Sequence, residues 1–218
     1  MPRGIISGTL IQGASEVKLS KANQIIKDAE DAAFKAQTGA DFGFNKLANP
    51  DGWDSAIQNA NGDGEGIGRK INCQRCVVAA EARMRGYDVI ARMSWGVGDP
   101  MLKIPEWLKV FETDKLDIKE FTGKNTEAAI NSAKEIMKSF GTGARAFIWF
   151  NWENTPNLWH VIVAECRGDS VVVFGDPQRR VVAASKYFDE ANLKSLKIMR
   201  VDNINFTDNV KRCCVNKE

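Results

Sequence analysis

The sequence predicts an α+β fold with helices packed on an antiparallel sheet. Segments of helical spacing fill its first two thirds, and short apolar runs joined by tight loops fill the last third. A stretch rich in Gly, Asn and Asp between residues 38 and 68 separates an N-terminal part from the rest. The 218 residues suffice for one well-buried domain with an extension, which we set at residues 1–68 for the extension and 69–218 for the functional domain.

The elements follow in order. Residues 1–18 carry no clear period and read as an arm. Ser20 caps a helix in which Ala22, Ile25, Ile26, Ala29, Ala33 and Ala36 recur on one face, and Gly39 suits its end. A short helix is expected over residues 53–58. Gly62, Gly64, Gly66 and Gly68 lack the preceding strand that a dinucleotide fingerprint needs, so phosphate binding is discounted there.

Asn72 is a good N-cap for a helix running through Cys73, Val77, Ala80 and Met84 and stopped by Gly86. A strand over residues 87–92 follows. Pro105 fits the first turn of a short helix that turns Trp107, Leu108 and Phe111 inward. Asn125 or Thr126 opens a longer helix with Ala129, Ile130, Ala133, Ile136, Met137 and Phe140 on one face. Residues 144–150, 159–165, 170–174 and 196–201 then read as strands, most of them joined as in an antiparallel sheet.

Charge and composition exclude several classes of function. Thirty Lys and Arg against twenty-eight Asp and Glu leave a net charge of +2 without a basic block, so no nucleic-acid footprint is present. No run reaches the roughly 18 apolar residues of a membrane helix. Residues 1–13 lack the charged start, apolar core and cleavage site of a Sec signal, so a soluble protein is expected.

Five cysteines, an odd number, do not make the framework of a small secreted scaffold, and reduced thiols are expected. The chain has one histidine, so a mechanism that needs an imidazole has one candidate.

Chemistry concentrates in three places. A cysteine at a helix N-terminus faces unpaired backbone N–H groups and the positive end of the helix dipole, both of which favour thiolate, and the same N–H groups can hold an oxyanion. With Asn72 as cap, Cys73 takes the first helical position, while Cys76 lies one turn further in, aligned with Ala79, Ala80 and Arg83 and half buried. Cys73 and Cys76 could instead form half of a zinc site. Its other half would be Cys213 and Cys214, which are adjacent and awkward for one tetrahedral ion, so neither metal nor cofactor is expected.

His160 sits in a strand segment, Trp159-His160-Val161-Ile162-Val163-Ala164-Glu165. After a turn, the next strand delivers Gly175-Asp176-Pro177-Gln178, so a hairpin can bring Asp176 beside the imidazole. A general base needs such a third group to fix its tautomer and stabilise the imidazolium. Asp176 could equally open a turn in Asp-Pro-Gln-Arg, and the two roles are compatible. Trp152 and Trp159, close to His160 in sequence, could line a groove, although core and rim packing is the commoner role.

The segment from Asn72-Cys73-Gln74-Arg75-Cys76 to Gly86-Tyr87-Asp88-Val89 resembles the opening motif of papain-fold toxin domains described as glutamine deamidases. Similar domains occur in bacterial polymorphic toxins and in phage head or minor capsid proteins. His160-Val161-Ile162-Val163-Ala164-Glu165 and Phe174-Gly175-Asp176-Pro177-Gln178 are similar to that family's His and Asp motifs, in the same order.

The resemblance covers about residues 69–200 and implies a papain-like fold. It also implies a Cys-His-Asp triad on Cys73 or Cys76, His160 and Asp176, with Gln178 of the Asp-Pro-Gln motif shaping the site; Asn72, beside Cys73, and Trp159, beside His160, are further substrate-binding candidates by position. The helix-end position favours Cys73; the papain motif, whose Cys-x-x-Cys ends with the nucleophile, favours Cys76.

Deamidation of a glutamine in a protein substrate is the implied activity, and proteolysis or transglutaminase-like chemistry would use the same acyl-enzyme. A phage particle or an immunity protein are further implied partners, with action in a host cytoplasm or association with a virion. A non-catalytic virion or toxin-delivery binding module is the alternative from another class.

Overall fold

A computed structural model describes residues 42–168 and 171–218. The helix expected over residues 20–39 and the turn residues Asp169 and Ser170 lie outside the described residues. Phe42–Glu218 form one compact unit, so residues 42–68 pack with the domain expected to begin at residue 69.

Four α-helices are described: α1 (Trp53–Asn59), α2 (Cys73–Met84), α3 (Ile104–Leu108) and α4 (Thr126–Phe140). The strands are β1 (Val89–Ala91), β2 (Ile118–Phe121), β3 (Arg145–Trp152), β4 (Thr155–Cys166), β5 (Val172–Gly175), β6 (Leu196–Arg200) and β7 (Cys214–Asn216). Five of them make an antiparallel sheet in the order β2-β6-β3-β4-β5, and β1 pairs with β7 in a separate two-stranded ribbon. The fold is therefore α+β, with helices packed against a largely C-terminal antiparallel sheet.

The sheet is buried on both faces, which is why β3 reads as a continuous apolar run. Phe147, Trp149, Val161, Val163 and Met199 join the core built around α2. Ala146, Ile148, Phe150, Ile162 and Ile198, their neighbours along the strands, face the core of α4. α4 meets that core through Ala129, Ala133 and Met137, and Asn125 caps it by accepting from the Ala128 N–H at 2.9 Å.

α2 has no solvent face: Gln74, Arg75, Glu81 and Arg83 are buried along with its apolar residues. Such a helix needs internal partners for its charges. Glu81 takes Arg85 Nε at 2.7 Å on one oxygen and Arg145 Nε at 2.8 Å on the other, which ties α2 to β3. Arg85 also donates to the Ile204 carbonyl at 2.9 Å, beyond β6. α2 is thereby anchored to the sheet that carries His160.

Two further contacts tie α1 to the end of β5 and the chain beyond it. Trp53 Nε1 donates to the Val182 carbonyl at 3.2 Å. A Cβ on Gly175 would lie 2.7 Å from the Trp53 ring, so only glycine lets α1 approach the end of β5 this closely. Among the described residues no helix is long and apolar enough to cross a membrane.

Candidate active site

The sheet positions His160 where β5 ends. β4 pairs with β5 only from Val163 to Cys166, and past Gly175 the partner chain turns away through Asp176. That departure leaves the β4 edge open beside His160, and the Asp176 side chain enters the opening. His160 Nε2 lies 3.0 Å from Asp176 Oδ2.

Asp176 fills both roles read from the sequence. Its Oδ1 accepts the backbone N–H groups of Gln178 (2.9 Å) and Arg179 (3.2 Å), which builds the turn, while Oδ2 meets the imidazole. Burial pushes the Asp176 carboxyl up, but the hydrogen bond and charge of His160, the Arg179 N–H and the Tyr187 hydroxyl outweigh it, and the net shift is downward.

His160 is 4% exposed and packed among aromatic rings. Trp152 stacks on it with centroids 5.2 Å apart, and Tyr187 and Phe150 present edges at 5.5 and 5.9 Å. Burial opposes the charged ring, yet the hydrogen bond to Asp176 and the nearness of Cys73 raise its pKa from 6.5 to about 9. Asp176 engages Nε2 and not Nδ1.

The two cysteines part company. Cys73 occupies the first position of α2, lines a cleft of about 400 Å³ together with His160, and directs its Sγ to Gln74 Oε1 at 3.2 Å. Cys76 has no exposed surface and donates to Asn72 Oδ1 at 3.2 Å. Burial first, then the nearby Cys73 and Asp176, pushes its thiol well above the ordinary range. The expected half-burial of Cys76 is thus corrected to full burial, because α2 is enclosed on every side.

Asn72 holds the N-cap position, but its side chain caps nothing, contrary to expectation. It turns inward instead: Nδ2 donates to Asn61 Oδ1 and the Arg92 carbonyl, both at 3.0 Å, and Oδ1 also receives Gln178 Nε2 at 3.4 Å. Asn72 O takes the Arg75 and Cys76 N–H groups. The Cys73 and Gln74 N–H groups, at the first two helical positions, have no intrahelical acceptor, and both residues line the cleft.

Gln178 and Trp159 line the same cleft, as does Trp152. Asn72 lies behind it. Two residues that sequence reasoning did not single out complete the arrangement. Tyr187, on a 3-10 turn over Ser185–Asp189, meets the His160 ring edge-on, and burial and the Asp176 carboxylate push its hydroxyl up to about 12. Asn61 ties the Gln178 carbonyl (2.8 Å) and the Arg69 carbonyl (3.0 Å) to Asn72. No motif spacing marks either residue.

All five cysteines are free. Among the described residues no group of three or more His, Cys, Asp or Glu could hold a metal ion.

The raised His160 pKa makes stability depend on pH. The folded chain binds the proton more tightly than the unfolded one, so this stabilisation is complete below pH 6.5 and is lost as pH rises through about 9. The buried thiols of Cys76, Cys213 and Cys214, all raised, add a loss of the same sign at higher pH. Urea midpoints measured from pH 6 to 9 are expected to fall for the native sequence and to stay nearly flat for His160→Gln. An equal fall in both would remove His160 as the cause.

Comparison with curated proteins and with solved structures gives no match. The family model described as papain fold toxin 1, glutamine deamidase, matches residues 71–181, which hold Cys73, His160 and Asp176. That span is just over half of the 218 residues, and the chain belongs to the papain-fold toxin 1, glutamine deamidase family.

Proposed function

We propose that the chain is a thiol acyl-transfer enzyme that deamidates glutamine side chains of a target protein, with Cys73 as nucleophile, His160 as base and Asp176 as the group that orients it. The observation that carries this reading is the His160 imidazole, hydrogen-bonded to Asp176 and lining the same cleft as Cys73.

With its pKa at about 9, His160 already holds the Cys73 proton on Nδ1 at neutral pH, and the thiolate attacks the carboxamide carbon. The negative charge that develops on oxygen meets the Cys73 and Gln74 N–H groups at the head of α2. His160 returns the proton to the departing nitrogen, ammonia leaves, and a thioester remains. Water, deprotonated by His160, then attacks the thioester, releasing a glutamate side chain and the thiol. Asp176 stabilises the imidazolium at both stages. Cys76, sealed under Asn72, serves the packing of α2.

Incubation with glutamine-containing target proteins tests the reading: ammonia release with a mass gain of about one dalton on a glutamine is the expected result. Peptide fragments in its place would assign proteolysis to the same acyl-enzyme, and mass gain of an added amine would assign transamidation. No product that depends on Cys73 would overturn the enzymatic reading altogether.

A further inference from the structure

Apolar residues are exposed around the cleft in a way that core packing does not explain. Val97 is 104% exposed, Ile67 82%, Trp95 67%, Leu158 57%, Met93 55% and Ile71 39%. Ile71, Val97 and Leu158 line the cleft itself. The other three extend along the same two loops, which are laced together where the Ser94 N–H donates to the Gly68 carbonyl at 3.0 Å. Scattered surface apolar residues are ordinary, but a contiguous group beside a cleft marks a contact surface.

The exposure of Val97 is held in place from below. Asp99, at the foot of its loop, is buried and takes Arg75 Nη2 on both oxygens at 2.6 and 2.7 Å. It also receives the Ser94 hydroxyl at 2.8 Å and the Met101 N–H at 3.0 Å. A loop clamped at its base presents its tip in one conformation and loses little entropy when something binds there.

The wall of the cleft nearest Gln178 has the opposite character. Lys70 and Arg179 line it and continue into an adjoining hollow with Arg69 and Arg180. The only carboxylate in that hollow, Asp63, is already paired with Arg69 at 2.9 Å, and Arg180 donates to the Gly62 carbonyl. Lys70 and Arg179 have no carboxylate partner among the described residues, although the whole chain carries a net charge of only +2. Local positive charge of this kind selects anionic partners.

From these two walls we infer the substrate class. The reactive glutamine lies in a protein segment with an apolar residue on one side and an aspartate or glutamate on the other. The apolar residue rests on Ile71, Val97 and Leu158, and the carboxylate meets Lys70 and Arg179. This inference rests on the glutamine chemistry proposed above, and it adds the sequence context in which the glutamine is accepted.

The test uses the full chain and labelled ten-residue peptides with one central glutamine, made with the apolar and acidic flanks in both orders. In control peptides lysine replaces the acidic residue or serine the apolar one. Anisotropy measures binding to the Cys73→Ala protein, and ammonia release measures turnover by the native sequence. In one of the two orders the apolar-acidic peptide is expected to bind about tenfold tighter than its lysine control, with the gap narrowing as salt rises.

Adding Lys70→Glu and Arg179→Glu to the Cys73→Ala protein should reverse that order. Val97→Ser with Leu158→Ser should erase the advantage of the apolar flank. Equal binding of acidic and lysine peptides overturns the inference, even if ammonia is released from both. Selective binding without ammonia release keeps the recognition and overturns deamidation. Neither binding nor release overturns both.

Discussion

Cys73→Ala abolishes ammonia release, lowering kcat/KM by about 10⁴-fold or more, whereas Cys76→Ala keeps it within about tenfold of the native value. The contrast follows from where the two sulfurs lie. One lines the cleft together with His160; the other is enclosed and donates to Asn72 Oδ1. Removing the Cys76 sulfur leaves a small cavity costing about 1–2 kcal/mol, while Asn72 Oδ1 keeps the Gln178 amide as a donor. Initial-rate kinetics on both variants, with thermal melts to verify folding, separate the roles. Loss of turnover in a folded Cys76→Ala protein alone would exchange the two assignments.

Glu81→Ala is expected to produce the largest loss of stability, about 3–5 kcal/mol at neutral pH. Glu81 has no exposed surface and neutralises two arginines, so its removal leaves Arg85, 1% exposed, as an uncompensated buried charge. Burial raises the Glu81 pKa, but Arg145 and Arg85 more than reverse this and hold it at about 2.

The sign for acid follows from that depression: the contribution is complete above pH 4.5 and is lost as pH falls through about 2. Denaturant melts at pH 7 and between pH 5 and 2 check both claims. A Glu81→Ala midpoint equal to the native one would show that the ion cluster does not fasten α2 to β3.

The strands legible in the sequence were those whose burial leaves a pattern. β3 and β4 are long apolar runs, and the hairpin from β4 to β5 placed His160 and Asp176 near each other without further information. β2 and β7 were not legible. Each is a short mixture of apolar and polar residues, and each pairs with a strand distant in sequence, β6 and β1 respectively.

The depth of Cys76 escapes the sequence for a related reason. Periodicity reveals a helix with one wet face, whereas α2 buries arginines and a glutamate among alanines, and partners outside it such as Arg145, Asp99 and Asp51 explain how that is tolerated. Tyr187 and Asn61 reach the site from a 3-10 turn and a loop. Contacts of that kind leave no spacing to read.

The cross-bracing by α1, Asn61 and β6 bears on how the protein can be cut for study. A fragment trimmed to residues 71–181 would contain every proposed reacting group and yet lack Trp53, which backs Gly175, and Asn61, which joins the Gln178 turn to Asn72. It would also lack β6, which sits between β2 and β3. The borders of sequence similarity therefore fall inside the folding unit, and expression should start no later than Phe42 and retain the strand that ends at Asn216.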